Sequence, residues 1–156
     1  MDAALHRLVR QRANGRCEYC RLPEAESLVP FEIEHIIPLK HRGRTVAGNL
    51  AWACIYCNGY KGTNLTGRDP ATGKITRLYH PRRHRWSYHF RYQSGTLIGR
   101  TAIGRTTIEV LQINRPYLVA PWMLWEQGAF ITMSPFSPLC PRFPPVTWNW
   151  PRPGPR

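Results

Sequence analysis

The chain reads as an α+β protein centred on a strand, a loop, a second strand or extended turn, and a helix. Cysteines draw the two ends of that unit together. Three observations predict it. Two Cys-x-x-Cys pairs, Cys17/Cys20 and Cys54/Cys57, bracket the segment. Between them residues 31–37, FEIEHII, alternate through Phe31, Ile33 and His35 as a strand does. On either side, residues 3–13 and 104–114 carry apolar side chains at helical spacing.

In residues 3–13, AALHRLVRQRA, Leu5, Leu8 and Val9 share a helical face and Asn14-Gly15 supplies the stop. Cys17-Glu18-Tyr19-Cys20 follows directly as a metal knuckle. The strand at 31–37 turns at Pro38, and basic, glycine-containing residues 40–48 form a loop. Asn49 is placed to cap a short helix through LAWAC, which brings Cys54 and Cys57 beside the first pair. Residues 66–74, TGRDPATGK, read as a turn-rich loop, and ITRLY (75–79), WSYHFRY (86–92) and TLIGR (96–100) as strands. Alternation in WSYHFRY assigns Trp86, Tyr88, Phe90 and Tyr92 to the core, with Ser87, His89 and Arg91 opposite. Residues 104–114, GRTTIEVLQIN, read as a helix ending at Arg115-Pro116.

The expected organisation is a folded region over 1–125, with its core at about 14–65 and a basic strand-and-helix extension at 66–125. An irregular tail follows at 126–156. Eight of the fifteen prolines fall in 135–156, yet four of the six tryptophans fall in 122–150, a composition unlike polar disorder. At 156 residues the chain is long enough to bury a core. No stretch approaches the ~18 apolar residues of a membrane span, and the N-terminus lacks a secretory pattern. A cytoplasmic protein is expected, where cysteines stay reduced and Cys-x-x-Cys pairs read as metal ligands. Cys140 has no partner motif and is assigned no role.

Charge points to a polyanionic partner. Residues 1–34 carry five Arg against six acids, whereas residues 35–115 carry fourteen Lys or Arg against only Asp69 and Glu109. Such a field concentrates phosphates and raises encounter rates. Arg outnumbers Lys, which favours forked contacts to phosphate over diffuse attraction. The densest run is His80-Pro-Arg-Arg-His-Arg85, flanked by Tyr79, Trp86, Tyr88 and Tyr92. Arg77, His80, Arg82, Arg83 and Arg85 are the candidate phosphate contacts there, with Lys61 a further one near the core. Pro81 disfavours a helical His80/His84 metal pair.

The two cysteine pairs put four thiolates on two tight turns, which suits tetrahedral Zn²⁺ in a closed, structural site. Cys17, Cys20, Cys54 and Cys57 are its expected ligands. Its binding energy is then folding energy.

Between the pairs, FEIEHIIPLKHRGRTVAGNLAWACIYCNGYKG resembles the HNH endonuclease motif in its Asn-ended variant. The likeness is strong over about residues 17–62 and weaker to about residue 116. It implies a ββα-metal core with an N-terminal helix and extra C-terminal strands and helix. It also implies DNA cleavage by a single-metal mechanism, giving 5′-phosphate and 3′-hydroxyl products. Asn49 is implied to orient the loop that presents His35. Residue chemistry agrees. His35, with an ordinary pKa near ~6.5, suits a general base at neutral pH. The Glu34 carboxylate and the Asn58 carbonyl are hard oxygen ligands suited to catalytic Mg²⁺ or Mn²⁺. In the family, Asp is commoner than Glu34 and His is frequent in place of Asn58; the second departure favours Mg²⁺ or Mn²⁺. Each residue also has a plainer reading: Asn49 as a cap, Asn58 as a turn ligand for backbone amides, His35 as a core imidazole. The competing function is a catalytically silent, zinc-supported module that binds nucleic acid. DNA is the expected partner, with RNA open, and the oligomeric state is open between monomer and weak dimer.

Overall fold

Residues 2–115 are described by the computed structural model; the 126–156 tail, Cys140 and residues 116–125 lie outside them. The chain begins with helix α1, Ala3–Arg12, whose first turn is capped by the Asp2 carboxylate accepting from Ala4 N–H. Arg10 and Arg12 lie in its last turn, where cations complement the helix dipole. The helix stops as the residues dictate: Asn14 and Gly15 both take positive φ. Val9 faces inward and is fully buried.

The central unit is an antiparallel pair, β1 (Glu32–His35) and β2 (Leu50–Ala53), followed by helix α2 (Ile55–Lys61). This is the ββα arrangement the sequence resemblance implies. LAWA, expected as a short helix capped by Asn49, is instead strand β2. All four of its residues are buried, because the strand is covered on both faces and so shows no alternation of polarity. Cys54 is the residue that caps α2, its sulfur accepting from Cys57 N–H.

The register places Glu32 opposite Ala53, Ile33 opposite Trp52, Glu34 opposite Ala51, and His35 opposite Leu50. Cross-strand partners share a face. Glu32 and Glu34 therefore lie over two alanines, whose small side chains leave room for α2 to pack against β1. Ile33 and His35 lie on the other face.

The extension is two hairpins and a helix. Thr66–Arg68 (β3), expected as loop, pairs with Ile75–Arg77 (β4). Residues Trp86–His89 form a short helix, α3, before Phe90–Gln93 (β5), which pairs with Thr96–Gly99 (β6) through a turn at Ser94 and Gly95. Both turn residues have positive φ, as a tight right-twisted hairpin requires. The helical turn breaks the alternation expected across WSYHFRY. Tyr88 is left 65% exposed, while His89 is buried, bonding through Nδ1 to Thr101 Oγ1 at 2.7 Å.

Helix α4, Ala102–Leu111, closes the unit, capped by the Thr101 hydroxyl accepting from Gly104 N–H. A β-carbon on Gly104 would stand 2.2 Å from the His89 carbonyl oxygen, so α4 seats against the end of α3 only because that residue is glycine. Asp69, fully enclosed, receives both Arg105 Nε at 2.9 Å and Nη2 at 2.7 Å, and so ties the β3–β4 hairpin to α4.

Three side chains of the extension reach back to the first cysteine turn. Trp86 Nε1 donates to the Tyr19 carbonyl at 2.8 Å, the Tyr92 hydroxyl donates to the Cys20 carbonyl, and Arg82 pairs with Glu18. Glu18 in turn accepts from Trp52 N–H of β2.

Hydrogen bonds from Arg105 hold the Asp69 carboxyl below the usual carboxylate range. A depressed native pKa stabilises the fold above the unfolded value of about 4 and is lost as pH falls towards the native one. Asp69→Asn is expected to lower the thermal midpoint at neutral pH, and the gap to wild type to narrow below about pH 4. Paired thermal melts across that range measure it.

Candidate metal centre and active site

The four expected zinc ligands converge. The sulfurs of Cys17, Cys20, Cys54 and Cys57 all lie within 4.8 Å of one another, and all four residues are buried. Thiolates at ~2.3 Å around a tetrahedral Zn²⁺ stand ~3.8 Å apart, and the Cys20 and Cys54 sulfurs are separated by 3.8 Å. Disulfide sulfurs would be ~2.05 Å apart. Four buried sulfurs this close can all be thiolates only with a cation among them. The site fits Zn²⁺, and four sulfurs leave no position open for water.

Loop 37–49 is organised by Asn49. Its Oδ1 accepts from Ile37 N–H, and its Nδ2 donates to the carbonyls of Ile37 and Arg44, each at 2.9 Å. It is not the helix cap that the bland reading allows; it clamps the start of the loop to its end. The loop is also folded tightly on itself: a β-carbon on Gly43 would fall 1.7 Å from the Ile37 carbonyl oxygen. Thr45, presented by this loop, lies 3.0 Å from His35 Nε2 through its hydroxyl. His35 is half-buried rather than packed into the core. Burial first, then the Lys61 charge, lowers its pKa, which favours the neutral imidazole.

Glu34 and Asn58 both occupy the β1–α2 interface, and each has taken a protein partner there. Glu34 is buried and paired with Lys61, one turn beyond Asn58 on α2; Lys61 Nζ also donates to the His35 carbonyl at 3.0 Å. Burial raises the Glu34 pKa and Lys61 opposes the rise. Asn58 Nδ2 donates to Glu32, leaving Oδ1 as its oxygen donor. His35 and Glu34, as consecutive strand residues, point to opposite faces and meet only at the strand end, where Lys61 touches both residues.

The phosphate-contact candidates divide. Lys61 is 1% exposed and committed to Glu34, so the structure removes it from the list of surface contacts. Arg82 is likewise committed, to Glu18, and burial pushes its pKa down to about 10. Arg77, Arg83 and Arg85 are exposed. His80 is half-buried, its Nδ1 accepting from Arg82 N–H.

Residue-by-residue reading of the sequence passed over Glu32, Thr45 and the loop arginines. Glu32 had a legible signal, since a strand puts i and i+2 on one face and so sets Glu32 beside Glu34. Thr45 had none, because its contact to His35 depends on how the loop closes.

Residues 17–64 match the family model for HNH endonuclease. Septu protein PtuB of Bacillus thuringiensis is 31% identical over 117 residues, covering 73% of this chain and 43% of that protein. The chain thus spans less than half the length of this curated relative. No solved structure matches.

Two outcomes test the two centres. Removal of metal by a strong chelator is expected to unfold residues around both knuckles, read as lost near-UV dichroism that returns on adding Zn²⁺, and Cys17→Ser to show the loss without that recovery. Lys61→Met strands a buried carboxylate and is expected to cost about 3–5 kcal/mol in urea denaturation. The double variant with Glu34→Gln should recover part of that loss, because no charge is then left unpaired.

Proposed function

From an HNH endonuclease domain at residues 17–64, we propose that this chain hydrolyses phosphodiester bonds in DNA, with His35 as general base and a single Mg²⁺ or Mn²⁺ at Glu34 and Asn58. The observation that carries the reading is His35 itself. It is a half-buried imidazole with a lowered pKa, at the end of a strand, hydrogen-bonded to a threonine on a loop that Asn49 clamps. A base must be unprotonated and held still, and the lowered pKa and the Thr45 contact support both.

Each side chain then has a task. His35 takes the proton of the attacking water at Nδ1, because Nε2 is bonded to the Thr45 hydroxyl, which limits rotation of the ring. Asn49 touches no reacting atom and acts as a positioning residue through the loop. Glu32 turns the Asn58 amide so that its oxygen is the atom left for a cation. Lys61 favours the charged form of the buried Glu34 carboxylate, through which that residue would hold the metal. The metal, when bound, supplies Lewis-acid stabilisation of the departing 3′ oxygen. Zn²⁺ at the four cysteines supports the fold and takes no part in the chemistry.

A second reading, a module that binds nucleic acid without cutting it, rests on the partners Glu34 and Asn58 already hold. Plasmid nicking separates the two. Wild-type protein with zinc retained and Mg²⁺ or Mn²⁺ added is expected to nick DNA, and His35→Ala to lose at least ~100-fold in rate while melting normally. Nicking that survives the substitution undiminished removes His35 as the base; wild type that never cuts leaves the binding module.

A further inference from the structure

A cleft of about 370 Å³ opens between the loop clamped by Asn49 and the basic connector that follows β4. Its loop wall carries His41, Arg42 and Arg44, its other wall His80 and Arg83, and Asn49 lines the space between. No acidic residue lines it. Among the described residues, the side chains of Arg42, Arg44 and Arg83 make no hydrogen bond or ion pair, in contrast to Lys61, Arg82 and Arg105, whose charges are all matched. His41 is anchored, Nε2 donating to the Thr63 carbonyl at 3.1 Å. His80 Nδ1 accepts a backbone N–H, so its proton is on Nε2 and can be donated outward even when the ring is neutral.

Like charges gathered without a counter-charge destabilise the free protein. Burial first, and then the nearby Arg83 and His84 charges, make His80 resist a further proton. The loop backbone that carries Arg42 and Arg44 is nevertheless held by three bonds from Asn49 and by the close approach at Gly43, so both cations project from a fixed frame. Unmatched forked cations on a stiff frame are what an anion with several oxygens requires. The same loop presents Thr45, the neighbour of Arg44, to His35, so one segment carries both the cleft wall and the contact to the base.

We propose that this cleft binds the phosphodiester backbone of the strand to be cut, with Arg44 and Arg83 clamping phosphate from opposite walls and Arg42 and His80 adding donors. The proposal rests on the nuclease reading and specifies where its substrate lies. It joins the matched HNH segment to the extension outside it: Arg83 and His80 come from beyond residue 64. The cleft would then be a composite of both parts of the chain.

The test uses the full chain with zinc retained and no other divalent ion, titrated against a labelled DNA oligonucleotide at several salt concentrations. Arg44→Gln/Arg83→Gln is expected to weaken binding ~10-fold or more and to make the slope of log affinity against log salt shallower by about 2. Its thermal midpoint should not fall, because the substitutions relieve repulsion. Arg7→Gln/Lys74→Gln removes the same charge from exposed sites outside the cleft and should stay within ~2-fold of wild type. Equal losses in the two double variants, or wild-type affinity in the first, overturns the cleft in favour of diffuse attraction. A protein that nicks DNA normally as Arg44→Gln/Arg83→Gln overturns the cleft while leaving the nuclease standing. Binding that depends on the cleft in a wild type that never cuts upholds the cleft and removes the nuclease.

Discussion

Everything described in this molecule hangs from the turn Cys17–Cys20. Its two sulfurs join those of Cys54 and Cys57 in one cluster suited to Zn²⁺. Its backbone carbonyls accept from Trp86 and Tyr92, and Glu18 links Arg82 of the connector to Trp52 of the central strand. A segment this short has no hydrophobic surface large enough to organise so many neighbours. A metal bound by the four thiolates would supply the energy locally, and the turn would then serve as a post to which both the ββα unit and the extension attach. Loss of the cluster would release the two parts together.

The candidate active site is built around buried charge. The Glu34–Lys61 pair lies under α2, and its geometry depends on two alanines of β2 that let the helix approach. Buried pairs add little net stability over an apolar substitute, but they impose specificity, because any misregister leaves a charge unmatched. Here the register that satisfies Lys61 is also the one that carries His35 to the strand end and Asn58 to the helix face. One alignment therefore places all three candidate residues, and the Asn49 bonds and the close approach at Gly43 extend it through the loop.

Much of this was legible in the residues. Cysteine spacing disclosed the metal cluster, since thiolates on paired turns have few other uses. The period of FEIEHII located β1, and charge placement set the excess of cations in residues 35–115. Other features were misread for identifiable reasons. LAWA lacks alternation because both faces of β2 are covered, so periodicity could not tell strand from helix. WSYHFRY alternates as a strand but begins with a helical turn, which puts Tyr88 outside and His89 inside. Lys61 and Arg82 look like surface cations in sequence, where a charge carries no record of its partner.

By itself, the amino-acid sequence determined the inventory: four thiols in two knuckles, one imidazole beside a carboxylate, two asparagines in register, and an excess of arginine. These follow from residue identity and short spacing, which depend on local geometry alone. Which cations are neutralised and which stay open, and where a cleft lies between the loop and the connector, was decided only in three dimensions. Glu34 meets Lys61 and Glu18 meets Arg82 across separations that no local rule connects, because a charge finds its partner only after the chain has packed.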